Sequence, residues 1–522
     1  DTGNDNENII FENSTNNREN TIFNTQNTAS DKNITLNDPQ MAVSLCYKPA
    51  FYYSEQHLAK LFNDKISSCA PIPQPWLTKW LNQFTAQNNI ELSPQQYKAV
   101  LMAGTNRVMI LTGGPGCGKT FSTKMIVALW QSLGLTITLA APTGRAAKRL
   151  QEMTGVEAKT IHRLLEFSRA TNGFKRNEKN PLPYQAIVID EASMLDLFLA
   201  HSLLKAIPKD AYLLLVGDVD QLPSVGPGNV LKDLIDSQQI PVMRLTQIFR
   251  QAQNSGIIQS AHAINKGQYP PLEPISHRPQ SDCLWHNGGT EPEHGLQLIT
   301  ELVTDFLPPL GFDVANDLQV LCPMTRGLLG TRNLNQVLQA IINPPENGKT
   351  ELKRGDGIFR EGDRIIQLKN DYDKEVFNGD LGIIKKINTV DLEMIIGFDD
   401  RDVVYDYGDL NEISLAYAVT IHKSQGSEYP VVILPIYMQH YMMLSRNLFY
   451  TGLTRAKQMA IIIGQEKPIA IAVKQVKDLL RYTKLKERLV TFSSMGKYPL
   501  FSGNKQLNYK VAENKSSWDD KY

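Results

Sequence analysis

Lys119 and Thr120 close the run Gly113-Gly114-Pro115-Gly116-Cys117-Gly118-Lys119-Thr120, a spacing that by itself makes a phosphate cradle. Glycines at 113, 114, 116 and 118 let successive backbone N–H groups turn inward on an anion. Apolar residues 108–111 precede the run and helix-compatible residues 119–131 follow it, so a helix N-terminus lies under the same anion. The chemistry is that of a nucleoside triphosphate with Mg²⁺. Lys119 would reach the β- and γ-phosphates and the Thr120 hydroxyl would hold the metal. A ligand-free glycine turn would need neither the Lys-Thr pair nor the strand–helix context. Cys117 stands at an unconstrained position of the loop.

Hydrolysis needs more than a cradle. Asp190-Glu191 ends the apolar run 186–190, where Asp190 would hold Mg²⁺ through water and Glu191 would orient and deprotonate the attacking water. Gln221 follows the run 212–218 and could sense the γ-phosphate. The transferring group also needs positive charge, and Arg250 and Arg455 are the candidates, both in polar motifs far along the chain. His277, Cys283, His286 and His294 are neighbours in sequence but lack metal-ligand spacing, so a solvated loop is expected there. Clustered carboxylates of the nuclease kind are not evident.

These groups must be positioned by particular elements. Continuous apolar runs at 108–111, 136–141, 186–190 and 212–218, separated by helix-compatible stretches, predict a parallel sheet covered on both faces. Each chemical motif falls at the carboxyl end of such a run, where α/β sheets collect ligands. Runs at 320–323, 431–435 and 460–464 predict a second α/β layer without its own phosphate loop. Between them, 351–411 changes to short β signals with an Asn378-Gly379 turn, as an inserted small barrel would. The fold class is therefore α/β. The expected units are a disordered tail at 1–40, a small helical region at 41–90, and a first α/β domain at 91–250. A second domain is expected at 251–350 and 412–490, with the barrel at 351–411 and a polar tail at 491–522.

Composition sets bounds. The 522 residues are 42% hydrophobic and 21% charged, enough for several packed cores. Lys plus Arg equals Asp plus Glu at 54 each, so no global charge advertises a polyanion, although a groove could be locally basic. Five scattered cysteines favour a reducing compartment. No apolar run reaches membrane-spanning length and no signal peptide is visible, so a cytoplasmic location without membrane partners is expected. The chain begins at Asp1 rather than Met, as a fragment or a processed form would.

Beyond the phosphate loop, an ordered series of motifs runs along the chain. It comprises Leu92-Ser-Pro-Gln-Gln96, Ala141-Pro-Thr-Gly-Arg-Ala-Ala147, Thr160-Ile-His162, Asp190-Glu-Ala-Ser193, Gly217-Asp-Val-Asp-Gln221, Phe249-Arg250, Thr420-Ile-His-Lys-Ser-Gln-Gly-Ser-Glu428 and Tyr450-Thr-Gly-Leu-Thr-Arg-Ala456. Over about residues 41–490 the series resembles the RecD-like branch of superfamily 1 DNA helicases. That resemblance implies two RecA-like P-loop domains with ATP between them and an SH3-like barrel inserted in the second. It assigns Gln96 to adenine, Gln221 to the γ-phosphate, Arg250 and Arg455 to arginine fingers, and Glu428 to the ribose side. It places Thr143, Thr160, His162, Thr420 and His422 on the backbone of a single strand. It also implies a strand-separating pin at about 166–183, a segment whose polar composition alone reads as a loop.

The implied activity is ATP- and Mg²⁺-dependent 5′–3′ movement on single-stranded DNA and at single-strand/duplex junctions, in DNA repair or recombination. Any protein partner is expected at the N-terminal region, which is shorter than in free-standing members. The tail motif Arg481-Tyr-Thr-Lys-Leu-Lys-Glu-Arg-Leu489 resembles that free-standing branch. Two other classes share the motifs: an ATP-switched, non-motor subunit of a recombination complex, and an RNA helicase.

Overall fold

The computed structural model describes residues 10–12, 45–68, 72–168, 171, 173–249, 254–276, 279–346, 348–354, 357–371, 373–398, 401–476 and 481–495. Of the positions singled out above, Arg250 and His277 lie outside the described residues.

The apolar runs fold as strands because each side chain finds cover on one face or the other. Every residue of Val108–Gly113, Ala186–Ile189 and Tyr212–Gly217 is buried. These strands belong to a six-stranded sheet in the order Val242–Leu245, Val108–Gly113, Tyr212–Gly217, Ala186–Ile189, Ile137–Ala141, Ala158–Thr160. All pairings in it are parallel. A second parallel sheet runs Glu273–Pro274, Cys283–His286, Ala456–Ile463, Tyr429–Pro435, Leu318–Cys322, Ala418–Thr420. Two α/β domains of this kind are what the periodicity predicts.

The barrel is a five-stranded antiparallel sheet, Arg401–Asp406, Glu393–Phe398, Leu381–Asn388, Arg364–Gln367 and Ile413–Leu415. Its last strand pairs Ile365 with Leu415, so the unit reaches 415 rather than the expected 411. Asp363 fixes its base to the second domain, accepting from Gln339, Asn343 and Tyr417.

Three expectations are corrected at the margins. The helical region is not a separate unit. Pro49–Ile66 buries Leu58, Ala59 and Phe62 on one face of the first sheet, and Gln74–Gln87 buries Leu77 and Leu81 on the other. Within the stretch read as disordered, Ile10–Glu12 pairs antiparallel with Leu45–Tyr47. Finally, the end of the chain leaves the second domain. Helix Leu485–Met495 packs Leu485 and Leu489 into the first domain's core. Its Arg488 donates to the buried Glu55 at 2.9 Å, and Glu55 also accepts from Thr483 and the Lys484 amide.

Candidate active site and strand groove

The first strand, Val108–Gly113, delivers its chain into the loop and then into helix Lys119–Ser132. Gly118 takes φ +79°, and a Cβ there would meet Gln96 Nε2 at 2.7 Å, so this position admits only glycine without displacement. A cavity of about 350 Å³ opens between the domains at this point. From the first domain it is lined by Gly114, Pro115, Gly116, Gly118, Lys119, Thr120, Asp190, Glu191 and Gln221. From the second domain Glu428 and Arg455 face the same space. Residues that the sequence separates widely thus share one cleft.

Three of the expected nucleotide-binding positions stand behind it. Gly113 ends the strand against the Leu245 carbonyl, and Cys117 is buried in the apolar core with its thiol pushed up by burial. Gln96 is buried at 2% exposure, completing a capping box in which its Oε1 accepts from the Ser93 amide at 3.0 Å. Its Nε2 fills the space that a Cβ on Gly118 would need. Arg250 is not described, but its neighbour Phe249 donates its amide to the Gly116 carbonyl at 3.3 Å, so that segment abuts the loop.

The electrostatics suit a polyphosphate with a divalent cation. Lys119 Nζ donates to the carbonyls of Gly113 and Gly114 at 2.5 and 3.0 Å, holding the ammonium over the loop. Asp190 is pushed up by burial and then by the charge of Glu191, while the Glu191 amide, Arg149 and Lys119 pull it back. A cation beside the two carboxylates would relieve that repulsion. Glu191 holds a left-handed backbone, φ 49°, which for a non-glycine costs about 1–3 kcal/mol and fixes its position at the strand end. Arg455 is buried, and its guanidinium donates to the carbonyls of Thr451 and Ser427, both at 3.2 Å.

Several residues without an assigned role complete the cleft. Arg149 reaches across to pair with Glu428, which Lys457 also approaches at 3.6 Å. Tyr450 OH donates to the buried Asp218 at 2.7 Å. Asn447 donates to the Gln221 carbonyl, and Thr451 Oγ1 accepts from the Leu222 amide at 2.8 Å. The loop carrying Gln221 is therefore fastened to the second domain by helix Arg446–Leu453. Tyr450 opens the motif that ends at Ala456, whereas Arg149 stands two residues past the motif that ends at Ala147, so spacing pointed to neither role.

The expected strand contacts separate into three places. Thr143, Thr420 and His422 line one cavity of about 580 Å³ with Arg145, Asn378 and Lys423, between both domains and the barrel. Thr160 caps its helix through the Arg163 amide and lines a neighbouring cavity of about 290 Å³. There Arg163 pairs with Glu375 of the barrel at 3.0 Å. His162 lines neither. It packs beside Phe167 and Phe174 at 6.2 and 5.6 Å, and burial lowers its pKa. Those two phenylalanines belong to a hairpin, Phe167–Ser168 against Gly173–Phe174, where composition alone reads as loop.

Comparison with known proteins joins these observations. Residues 96–227 match the AAA domain, residues 334–398 the "ATP-dependent RecD-like DNA helicase SH3 domain", and residues 415–463 the "UvrD-like helicase C-terminal domain". The RecBCD enzyme subunit RecD of Mycolicibacterium smegmatis is 31% identical over 76% of this chain and 74% of its own. The chain belongs to the RecD-like helicase family. An ATP-dependent RecD2 DNA helicase of Deinococcus radiodurans is 38% identical over 85% of the chain. The chain spans 58% of that relative's length. A structure of Bacteroides Pif1 bound to ssDNA aligns with 78% of this RecD-like chain and 97% of its own, at 19% identity and a TM-score of 0.45. Among the described residues, no helix is long and apolar enough to cross a membrane.

Proposed function

We propose that this chain is an ATP-dependent DNA helicase and translocase, moving 5′ to 3′ on single-stranded DNA in repair or recombination. The observation that carries the proposal is the shared cavity, to which Lys119 and Arg455 come from different domains. The name of the RecD2 relative supports the same reading.

In this reading, the loop amides and Lys119 hold the β- and γ-phosphates of ATP, and Thr120 and Asp190 hold Mg²⁺. The metal supplies charge neutralisation on the phosphate oxygens. Glu191 orients and deprotonates the water, and Gln221 senses the γ-phosphate. Arg455 places positive charge on the transferring group when the cleft closes, and Arg250 has the corresponding role from the segment after Phe249. Gln96 acts on the adenine side by bracing the loop. Glu428 links Arg149 and Lys457 over the ribose side.

The strand runs through the groove of Thr143, Thr420 and His422, with Thr160 and the barrel beyond it. It is held mainly through phosphates, so affinity falls steeply with salt. Closure of the ATP cleft moves these contacts relative to one another, because both sites bridge the same two domains.

The test is ATP-driven unwinding of DNA and RNA duplexes with a 5′ or a 3′ tail. Unwinding of the 5′-tailed DNA alone is expected. ATP turnover without any unwinding would favour the switched, non-motor role, and preference for RNA would replace the substrate.

A further inference from the structure

Beside the hairpin lies a groove of about 1000 Å³ that the motor chemistry does not use. Four phenylalanines line it: Phe51 from the N-terminal helix, Phe167 and Phe174 from the hairpin, and Phe198 from helix Leu197–Ala206. They form two ring pairs, Phe51 with Phe198 at 5.0 Å and Phe167 with Phe174 at 5.4 Å. Phe198 remains 37% exposed at the rim of these rings.

The walls are cationic. Lys48, Arg176, Lys179 and Lys205 line the groove, against a single lining carboxylate, Glu178. Glu178 already faces His57 Nε2 at 3.4 Å, and Arg176 is engaged by Glu166 at 2.7 Å. Among the described residues, no carboxylate is ion-paired with Lys179 or Lys205. The exposed Phe198, with the partly buried Phe51, Phe167 and Phe174 beside it and lysines at the rim, suits a single-stranded nucleic acid, whose bases stack while its phosphates meet the cations. An acidic peptide would satisfy the lysines but would leave most of four aromatic faces without a planar partner.

The place in the fold favours a strand other than the one in the motor groove. The groove shares no lining residue with the cavity of Thr143, Thr420 and His422, and the hairpin lines only the former. We infer that this groove receives the displaced strand, stacking its first unpaired bases on the phenylalanines beside the hairpin. The inference rests on the helicase reading, since only a separating duplex yields a displaced strand here.

Fork binding by the full chain, measured without nucleotide, tests it. One substrate is a duplex with a 5′ loading tail, and a second adds an arm of about ten thymidines on the other strand. The arm is expected to tighten binding roughly fivefold to tenfold, the size of one stacked base at the weak end of its range. An abasic arm of equal charge should lose most of that gain. The combined variant Phe198→Ala, Lys179→Glu, Lys205→Glu should lose all of it and bind the simply tailed duplex as the parent does. The exposed single substitution Lys179→Glu, which leaves the ring packing intact, should lose part.

No advantage from the arm in the parent would overturn the inference, as would its full survival in the combined variant. So would a Glu- and Phe-containing peptide that binds the groove without competing with the arm. Failure of the helicase reading registers separately, as absence of ATP-driven unwinding by the parent on the simply tailed duplex.

Discussion

Tyr450 and Asp218 join the two α/β domains through one buried hydrogen bond, phenol to carboxylate, 2.7 Å long. Asp218 lines the nucleotide cavity, and Tyr450 lies on the helix that leads to Arg455. Burial and the Asp218 charge raise the phenol well above its usual pKa, so it stays a donor. Tyr450→Phe keeps the packing and removes only the bond. It should cost about 1.5–3 kcal/mol of stability, the range for a hydrogen bond to a charged group. It should also weaken DNA stimulation of ATPase more than it weakens nucleotide affinity. Unchanged stability and stimulation would mean the bond couples nothing.

Lys119→Ala should abolish ATP turnover with little loss of stability, because its ammonium contacts carbonyls at a half-buried position. Glu191→Gln should still bind ATP and lose turnover, since Thr120 and Asp190 are untouched. Weak binding by that variant would make Glu191 structural. Equilibrium nucleotide binding beside steady-state kcat separates the two.

Arg455→Ala should cut kcat by roughly 10³-fold, the magnitude of an arginine finger. Its bonds to Thr451 and Ser427 add a structural role, so the melting temperature should fall as well. Arg455→Lys should recover part of the stability and little of the kcat, because an ammonium lacks the planar fork. Recovery of kcat in step with stability would reduce Arg455 to a packing residue.

His201 gives a pH prediction. Burial, then the charges of His57 and Lys205, push it down to about 4. The unfolded chain binds that proton near pH ~6.5, so this contribution is fully present above about 6.5 and falls as pH drops towards 4. Asp233, raised to about 7 chiefly by burial, acts in the opposite sense, lowering stability as pH rises through the same interval. Only a difference isolates the histidine. Relative to the parent, His201→Gln should gain stability on going from about pH 7.5 to about pH 5 in urea unfolding. An equal difference at both values would remove His201 as the source.

Much of the candidate site's geometry was legible because the residues that line its cavity are tied to strand ends. Lys119, Asp190 and Gln221 each follow an apolar run, and a parallel sheet brings such ends together. Less legible was whatever depends on chain segments meeting at long range. The hairpin at 167–174 has two-residue strands, too short for any period, and is held by the Phe167–Phe174 contact. His162 shares a motif with Thr160, yet one helical turn carries it away from the groove and against those rings. Gln96 and Cys117 show the same limit within a motif: the spacing is right, but packing turns both side chains from the cavity. Leu485 and Leu489 read as the end of the second domain and belong to the core of the first.

That return of the chain has a mechanical consequence. The polypeptide leaves the first domain after Val242–Leu245 and is back in it by Leu485–Met495, so two covalent crossings span the cleft. A body held at two points cannot drift away on a tether, and its cheapest motion is rotation about the line through them. Helices Pro49–Ile66 and Leu485–Met495 also lie side by side, Glu55 against Arg488. A pull applied through those two helices would load the first domain and bypass the cleft.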